Sequence, residues 1–215
     1  MFDQKKYWLE RHSALRGKHA SVGLIGSDEE KQRKASELFQ EDIRHVFSHI
    51  KRRHPGGKVL DIGCGIGRAS TSIVPLGFDY LGVDLSPVAI EAAKEACPDA
   101  HFLSGDFLSL EFEEPFDVVM CAWVLVHFVD DEAWGGAVRR ISECLGGKGL
   151  FILVDVMADG EEIHAKPHYK NRTIHKYKDE LMGAGLEHRP EVEKDLKQGR
   201  QASACMKNLY IFEKL

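Results

Sequence analysis

The 215-residue sequence has no apolar run that approaches the roughly 18 residues of a membrane-spanning helix. It has no C-x-x-C pair, and its five cysteines are odd in number, which favours reduced thiols in a cytoplasm over a disulfide framework. It also has no internal repeat and no low-complexity tract, which argues against a solenoid or a disordered chain. These absences leave an ordinary folded domain, for which 43% hydrophobic residues provide a core.

The first twelve residues, MFDQKKYWLERH, carry charge throughout and lack the apolar segment of a signal peptide, so we expect a cytoplasmic protein that does not bind membranes. The net charge of −5 is uneven, because residues 1–58 carry a basic excess and the remainder an acidic one. An anionic substrate or a nucleic acid near the N-terminal segment would suit this asymmetry, but a solvated helix face explains it as well. We favour the helix face.

Helical and extended patterns alternate along the sequence. A helix is predicted over residues 27–53, where Ser27 and Glu30 form a capping box and an apolar face follows until Pro55. Strands are predicted at residues 58–62, 79–85, 100–107, 116–126 and 150–156, with helices between them. This alternation predicts a parallel sheet covered on both faces. Further on, we expect a polar loop at 156–171, a helix at 173–185 and late strands at 186–194 and 208–214, the last one antiparallel or at an edge.

The stretch KVLDIGCGIGRA, residues 58–69, places three glycines directly after the first predicted strand. Glycines let a backbone approach a ligand closely, and this end of a doubly wound sheet binds either a dinucleotide or S-adenosylmethionine. The dinucleotide fingerprint requires a third glycine or alanine, but counting from Gly63 and Gly65 reaches Arg68 and Ser70. Asp61 suits the ammonium of a methionine moiety better than a pyrophosphate, and it could also bond the backbone donors of the loop.

Three further features follow the ends of later strands. Asp84 ends the second strand, where a carboxylate can accept both hydroxyls of a ribose. Asp106 and Phe107 follow the third strand and suit an adenine, the acid bonding its amino group and the ring flanking it. The fourth strand is expected to bring Cys121, Ala122 and Trp123 to the methionine and sulfonium, since a cation is attracted to aromatic faces.

The stretches VLDIGCGIGR, YLGVDLSPVAI, FLSGDF, FDVVMCAWVLVHF and ISECLGGKGLFILVD come in the order of the class I S-adenosylmethionine-dependent methyltransferases, which the sequence resembles over about residues 57–155. The resemblance implies an α/β fold: a doubly wound, Rossmann-like, seven-stranded, mostly parallel sheet with a reversed last strand, helices on both faces and an N-terminal helical extension. It implies S-adenosylmethionine as cofactor. The cofactor-binding residues that we expect are Asp61, Gly63, Cys64, Gly65, Gly67, Asp84, Leu85, Asp106, Phe107, Cys121, Ala122 and Trp123.

One methyltransferase domain is expected over residues 1–215. It would comprise an N-terminal helical lid at 1–56, a cofactor-binding core at 57–155, and a substrate insertion with C-terminal strands at 156–215. We expect a monomer or a homodimer.

The acceptor is expected to be a small molecule that is methylated at oxygen or nitrogen. Such acceptors can need a base within hydrogen-bond reach, and His127, just past the fourth strand, is the candidate catalytic residue. The stretch CAWVLVHF at 121–128 lacks the N/D/S-P-P-Y/F/W box of adenine and glutamine methyltransferases and the proline–cysteine pair of cytosine methyltransferases. These absences disfavour nucleic-acid substrates.

Aromatic, histidine and arginine side chains in the N-terminal segment and after the fifth strand are candidates for contacting the acceptor. They are Tyr7, Trp8, Arg11, His12, His168, Tyr169 and Arg172. Pro167 separates His164 from His168 and spoils a helical i, i+4 pair of ligands, so we expect no metal site.

Other functions remain open from the residues alone. They are a methyltransferase of tRNA or another nucleic acid, a non-methylating protein on the same scaffold (an aminopropyl transferase or a cofactor-binding regulator), and an NAD-dependent oxidoreductase. The missing third small residue disfavours the oxidoreductase, and the absence of acids in CAWVLVHF disfavours an aminopropyl transferase.

Overall fold

A computed structural model describes residues 3–16, 18–21, 28–200 and 203–215, except for the side chains of residues 164 and 165. The chain divides into two compact units, residues 3–110 (the first unit) and residues 111–215 (the second unit). Ser27, predicted to cap a helix, lies outside the described residues. The single domain with three segments that we expect from the sequence stays a prediction.

In its described residues, the first unit contains three parallel strands and four α-helices. In chain order they are α1 (Gln4–Ala14), α2 (Glu29–Ile50), β1 (Lys58–Ile62), α3 (Ser70–Ile73), β2 (Asp79–Asp84), α4 (Pro87–Ala96) and β3 (His101–Ser104). In the pairing of β1 with β2, Asp61 lies opposite Gly82. The carboxyl ends of these two strands are therefore adjacent, which brings the acid of β1 close to Asp84, the last residue of β2.

The helix predicted over residues 27–53 is α2, which begins and ends slightly inside those bounds. Its N-cap is Asp28, whose carboxylate accepts the backbone N–H of Glu30. The helix buries an apolar face that includes Val46 and Phe47, and the ring of Phe47 meets Phe78 edge-on at 5.3 Å. The helical part of the N-terminal extension is therefore confirmed for the described residues.

The third strand is shorter than the sequence predicts. It ends at Ser104, and Asp106 accepts the backbone N–H of Leu108 in the turn that follows. The strand prediction for residues 105–107 is wrong, because the Asp106 side chain supplies a hydrogen bond that favours a turn.

The second unit contains a mixed set of strands. Its elements are β4 (Phe116–Ala122), α5 (Asp131–Cys144), β5 (Leu145–Val154), β6 (Ile163–Lys166), β7 (Tyr169–Asn171), α6 (Ile174–Gly183), β8 (Leu186–His188), α7 (Pro190–Lys197), α8 (Ala204–Lys207) and β9 (Leu209–Lys214). β4 and β5 are parallel, whereas β9 is antiparallel to β5 and to β8. β6 and β7 form a separate antiparallel hairpin.

The main sheet has seven strands in the order β3-β2-β1-β4-β5-β9-β8. Only β9, the last strand of the chain, runs against the others, since β8 is antiparallel to β9 as β5 is. The predicted doubly wound, Rossmann-like fold with a reversed last strand is confirmed.

Four sequence predictions for the second unit need correction. The fifth strand covers Leu145–Val154 rather than 150–156. The fourth strand ends at Ala122 rather than 126, and residues Leu125–His127 form a short 3-10 turn. The first two residues of this turn are apolar and buried, as they would be in a strand. The loop predicted at 156–171 contains the β6–β7 hairpin. Residues 186–194 are a strand only to His188, because Pro190 begins α7, where its missing N–H and fixed φ are tolerated.

Arg172 is an interior residue of the second unit. Its side chain is 0% exposed and bonds the Asp131 carboxylate at 2.7 Å, and its Cζ lies 4.4 Å from the centre of the Trp134 ring. These contacts connect the chain after β7 to the start of α5, so Arg172 has a structural role.

Arg172→Ala should lower the free energy of unfolding by about 2 kcal/mol or more, through the loss of a desolvated cation–π contact and the cavity that remains. Lys176→Ala is the matched control, because Lys176 bonds the same Asp131 but is more exposed; its cost should stay below about 1 kcal/mol. Urea unfolding of both variants measures the difference. Equal losses would show that burial adds nothing at Arg172.

Candidate functional site

The glycine loop after β1 has a backbone that side chains would strain. Gly63, Gly65 and Gly67 have φ values of 71°, 54° and 76°. These values lie in the left-handed region, which costs a residue with a side chain roughly 1–2 kcal/mol. The N–H groups of Gly63 and Cys64 both donate to the carbonyl of Val83 at 2.8 and 3.0 Å, so the end of β2 anchors the loop.

Two residues of the loop pack against neighbouring elements of the first unit. A Cβ on Gly67 would lie 3.1 Å from Ala93, so this glycine lets α4 pack against the loop. The Cys64 thiol is buried, 2.9 Å from where a Cβ of Gly82 would stand, and burial raises its pKa well above the ordinary value. Only the backbone of Cys64 is therefore suited to contact a ligand.

The carboxylate of Asp84 is oriented by two backbone donors. Its Oδ2 accepts the N–H of Gly65 at 3.0 Å, and its Oδ1 accepts the N–H of Ser86 at 2.9 Å. A carboxylate oxygen can accept two hydrogen bonds, so each oxygen retains acceptor capacity. Burial raises the pKa of Asp84, while nearby His12 and the two N–H groups oppose that rise.

Asp61 lies in a more deeply buried position at the end of β1. It is 3% exposed, and its carboxylate accepts the hydroxyl of Tyr80 at 2.6 Å. Burial raises its pKa to about 7, against the lowering effect of the Tyr80 bond. The sequence suggested that Asp61 could bond the loop donors, but the structure gives that bond to Asp84. Tyr80 gave no sequence signal, since a buried aromatic is ordinary in a strand.

The adenine-binding candidates lie in the turn after β3. The Asp106 carboxylate accepts the N–H of Leu108 and forms an ion pair with Lys5 of α1 at 2.6 Å. Phe107 is buried, and Leu85, at the end of β2, is half-buried. The structure therefore presents the acid at the surface of the turn and packs the Phe107 ring into the core.

α1 carries the N-terminal candidates. Arg11 lies over the Trp8 ring at 5.0 Å and donates to the carbonyl of Ala20, and Tyr7 meets Trp8 edge-on at 5.3 Å. His12 is buried, and its Nδ1 lies 3.8 Å from Oδ1 of Asp84. The structure therefore brings His12 close to an expected cofactor residue.

In the second unit, His127 is oriented by the hairpin turn. Its Nδ1 lies 2.7 Å from the backbone carbonyl of His168. A carbonyl only accepts, so Nδ1 carries the proton and the neutral ring keeps its lone pair on Nε2. The ring of His168 stacks at 6.0 Å and that of Tyr169 lies at 5.9 Å. The structure thus brings together three of the sequence-predicted residues.

A buried acid that sequence reasoning missed supports the turn that bears His127. Asp155 Oδ2 accepts the N–H of Val126 at 3.0 Å and the hydroxyl of Tyr177 at 2.9 Å. Asp155 is 0% exposed, and burial raises its pKa to about 7 against these hydrogen bonds. The available signal was its position directly after the apolar run of β5, the pattern that singled out Asp84.

The end of β4 is strained. Trp123 has a φ of 55°, and its N–H donates to the carbonyl of Val154 at 2.7 Å. Strain of this kind in a residue other than glycine concentrates at functional sites. The side chain of Cys121 is fully buried, whereas Ala122 and Trp123 are half-buried.

Metal and membrane features were searched in the described part of the chain. There, no three His, Cys, Asp or Glu side chains are grouped as metal ligands would be. None of the described helices combines the length and the apolar character needed to cross a membrane.

Residues 59–149 match a family model described as a methyltransferase domain. The chain is 30% identical to an uncharacterized methyltransferase of Bacillus subtilis (strain 168), over 49% of this chain and 43% of that protein. It is 39% identical to the mitochondrial ubiquinone biosynthesis O-methyltransferase of Schizosaccharomyces pombe, over 43% of this chain and 33% of that protein. The chain thus spans less than half the length of these relatives.

Two solved structures share the fold. One is magnesium protoporphyrin IX methyltransferase from Synechocystis with bound S-adenosylmethionine (TM-score 0.70, 16% identity, 99% of this chain and 97% of that one). The other is 1,6-didemethyltoxoflavin-N1-methyltransferase from Burkholderia thailandensis with bound S-adenosylhomocysteine (TM-score 0.65, 18% identity, 100% and 91%). Together with the family match, they confirm the fold that the resemblance implies.

Asp61→Asn should change how stability depends on pH. The Asp61 carboxyl loses its proton near 3.8 in the unfolded chain and near 7 in the folded one, so the folded chain binds more protons between these values. The contribution of Asp61 to stability is therefore present below pH 4 and is lost as the pH rises through 7. At about 1.4 kcal/mol per pKa unit, it is on the order of a few kcal/mol.

Unfolding in urea at pH 5, 6, 7 and 8 measures this effect. The stability of wild type should fall relative to that of Asp61→Asn across the series, since asparagine keeps an acceptor for Tyr80 but does not ionise. Asp79→Asn, at the exposed start of β2, is the control and should run parallel to wild type. Parallel curves for all three proteins would contradict the assignment.

Proposed function

We propose that this chain, which carries a methyltransferase domain in the class I fold, transfers the methyl group of S-adenosylmethionine to an oxygen or nitrogen of a small-molecule acceptor. The observation that carries the proposal is the geometry of Asp84, a buried carboxylate held by the N–H groups of Gly65 and Ser86. Its remaining acceptor capacity suits a pair of neighbouring hydroxyls, which a ribose supplies.

The other residues of the first unit fit the rest of the same cofactor. Asp61 is a buried acid with a raised pKa. A nearby cation would stabilise its charged form, and an ammonium is such a cation. Gly63 and Gly65 carry no side chain, which lets the loop backbone approach a ligand closely, and Asp106 lies at the surface of its turn. Structures of the same fold with the bound cofactor or its product support this assignment.

When bound, S-adenosylmethionine supplies a methyl group on a sulfonium that is a good leaving group. The protein then has to position the acceptor, keep water away and remove a proton from an acceptor that carries one. His127 suits the last task, because the carbonyl of His168 fixes the proton on Nδ1 and leaves the lone pair of Nε2 as the base. His168 and Tyr169, beside this ring, are the acceptor contacts that we propose.

A small-molecule acceptor agrees with the names of two similar proteins, an O-methyltransferase of ubiquinone biosynthesis and a toxoflavin-precursor N1-methyltransferase. They support oxygen and nitrogen equally. Arg172 is left out of the proposed acceptor contacts because its side chain is 0% exposed. A cytoplasmic location and a monomeric or homodimeric state stay predictions.

Calorimetry with S-adenosylhomocysteine tests the cofactor assignment. Wild type should bind it, and Asp84→Asn should bind about 10- to 100-fold more weakly, the range expected for hydrogen bonds to a charged group. Asp79→Asn, at the other end of the same strand, should bind as wild type does. Binding of NADH in place of S-adenosylhomocysteine would overturn the proposal, and binding of neither would indicate a scaffold without this cofactor.

His127→Asn tests the base once a labelled-methyl screen over metabolites, sugars and tRNA has identified an acceptor. Asparagine can still donate to the His168 carbonyl but has no Nε2, so kcat should fall by about 10²–10⁴-fold and the acidic limb of the pH–rate profile should disappear. The affinity for S-adenosylhomocysteine should change less than twofold. His168→Ala is the comparison variant, because it removes a proposed acceptor contact but keeps the carbonyl: KM for the acceptor should rise while the acidic limb remains. A loss of cofactor affinity that matches the loss of turnover would assign His127 a structural role instead.

A further inference from the structure

His12 of α1 has a buried imidazole with unused hydrogen-bonding groups. The residue is 4% exposed, and within the described part of the chain neither ring nitrogen has a hydrogen-bond partner. Buried polar groups are nearly always satisfied, so an imidazole with two unmet nitrogens requires an explanation. Burial lowers the pKa of His12, although Asp84 and the nearby backbone of Ser21, which lies outside hydrogen-bond geometry, oppose that change. The lowered pKa favours a neutral ring with one donor and one acceptor.

A carboxylate lies close to this imidazole. Nδ1 lies 3.8 Å from Oδ1 of Asp84, which is too far for a direct hydrogen bond. The two groups are therefore neighbours that do not bond each other. A hydroxyl group both donates and accepts, so one hydroxyl there could bond the carboxylate and the imidazole together.

α1 reaches the second acid of the expected adenosine site as well. Lys5 forms its ion pair with Asp106 at 2.6 Å, and His12 lies seven positions later, which is two helical turns along the same face. The chain just after this helix is bonded to α4, since Arg16 donates to Glu91 at 2.9 Å. α1 thus lies along both acids, with its Lys5 end at the adenine acid and its His12 end at the ribose acid.

We infer that His12 is a cofactor-binding residue that holds a ribose hydroxyl jointly with Asp84, rather than a contact to the methyl acceptor. The inference rests on the proposed function, because it takes the ligand at Asp84 to be an adenosine. Under this inference α1 is part of the cofactor site. Two described elements that are distant in sequence, α1 and the end of β2, would both bind the same ribose. The N-terminal segment would then decide affinity for the cofactor.

The test compares S-adenosylhomocysteine with its 2′-deoxy and 3′-deoxy analogues by calorimetry. His12→Phe keeps an aromatic ring and removes both nitrogens, so the affinity for S-adenosylhomocysteine should fall about tenfold, the size of one buried hydrogen bond. The loss should be absent for the analogue that lacks the shared hydroxyl, because that ligand cannot use His12 in either protein. His12→Gln, which restores a donor and an acceptor, should recover part of the affinity.

Glu10→Ala provides the control on the exposed side of α1, and it should bind all three ligands as wild type does. Equal losses for the three ligands in His12→Phe would show that the imidazole acts by packing alone, and would overturn the inference. Unchanged binding would overturn it too, while leaving the proposed function intact. Wild type that fails to bind S-adenosylhomocysteine would overturn both.

Discussion

The carboxylate of Asp84 connects the elements on which the first unit depends. It accepts one N–H from the glycine loop after β1 and one from Ser86, whose own hydroxyl caps α4 by accepting the N–H of Ala89 at 3.3 Å. Strand, loop and helix are thus joined at one side chain. The carbonyl of Val83, in the same strand, holds the glycine loop at a second point.

Each unit also contains a buried aspartate at the end of a strand. This aspartate accepts a hydrogen bond from a tyrosine hydroxyl. Asp61 accepts the hydroxyl of Tyr80 in the first unit, and Asp155 accepts that of Tyr177 in the second. Burial raises the pKa of both acids to about 7. Both carboxyl groups therefore change charge near neutral pH, so a nearby cation or hydrogen-bond donor would shift their protonation.

The parts of the site that could be predicted are those with local signals. Glycines mark a loop with positive φ, Ser86 followed by proline marks a helix start, and an acid after an apolar strand marks a carboxyl end. His12, Tyr80 and Arg172 could not be placed in this way, because their roles come from residues that are distant in sequence. The end of β4 was missed for a related reason, since an apolar stretch at 124–126 is buried equally well as a strand or as a 3-10 turn.

The orientation of His127 depends on a main-chain atom of residue 168 and not on its side chain. Every amino acid at that position would present the same carbonyl, so the side chain is free to vary without altering which imidazole nitrogen holds the proton. Under the proposed function, substitution at the tip of the hairpin turn would change the contacts to the acceptor, while the proton-accepting atom would stay the same. Acceptor preference and proton removal would then depend on different groups.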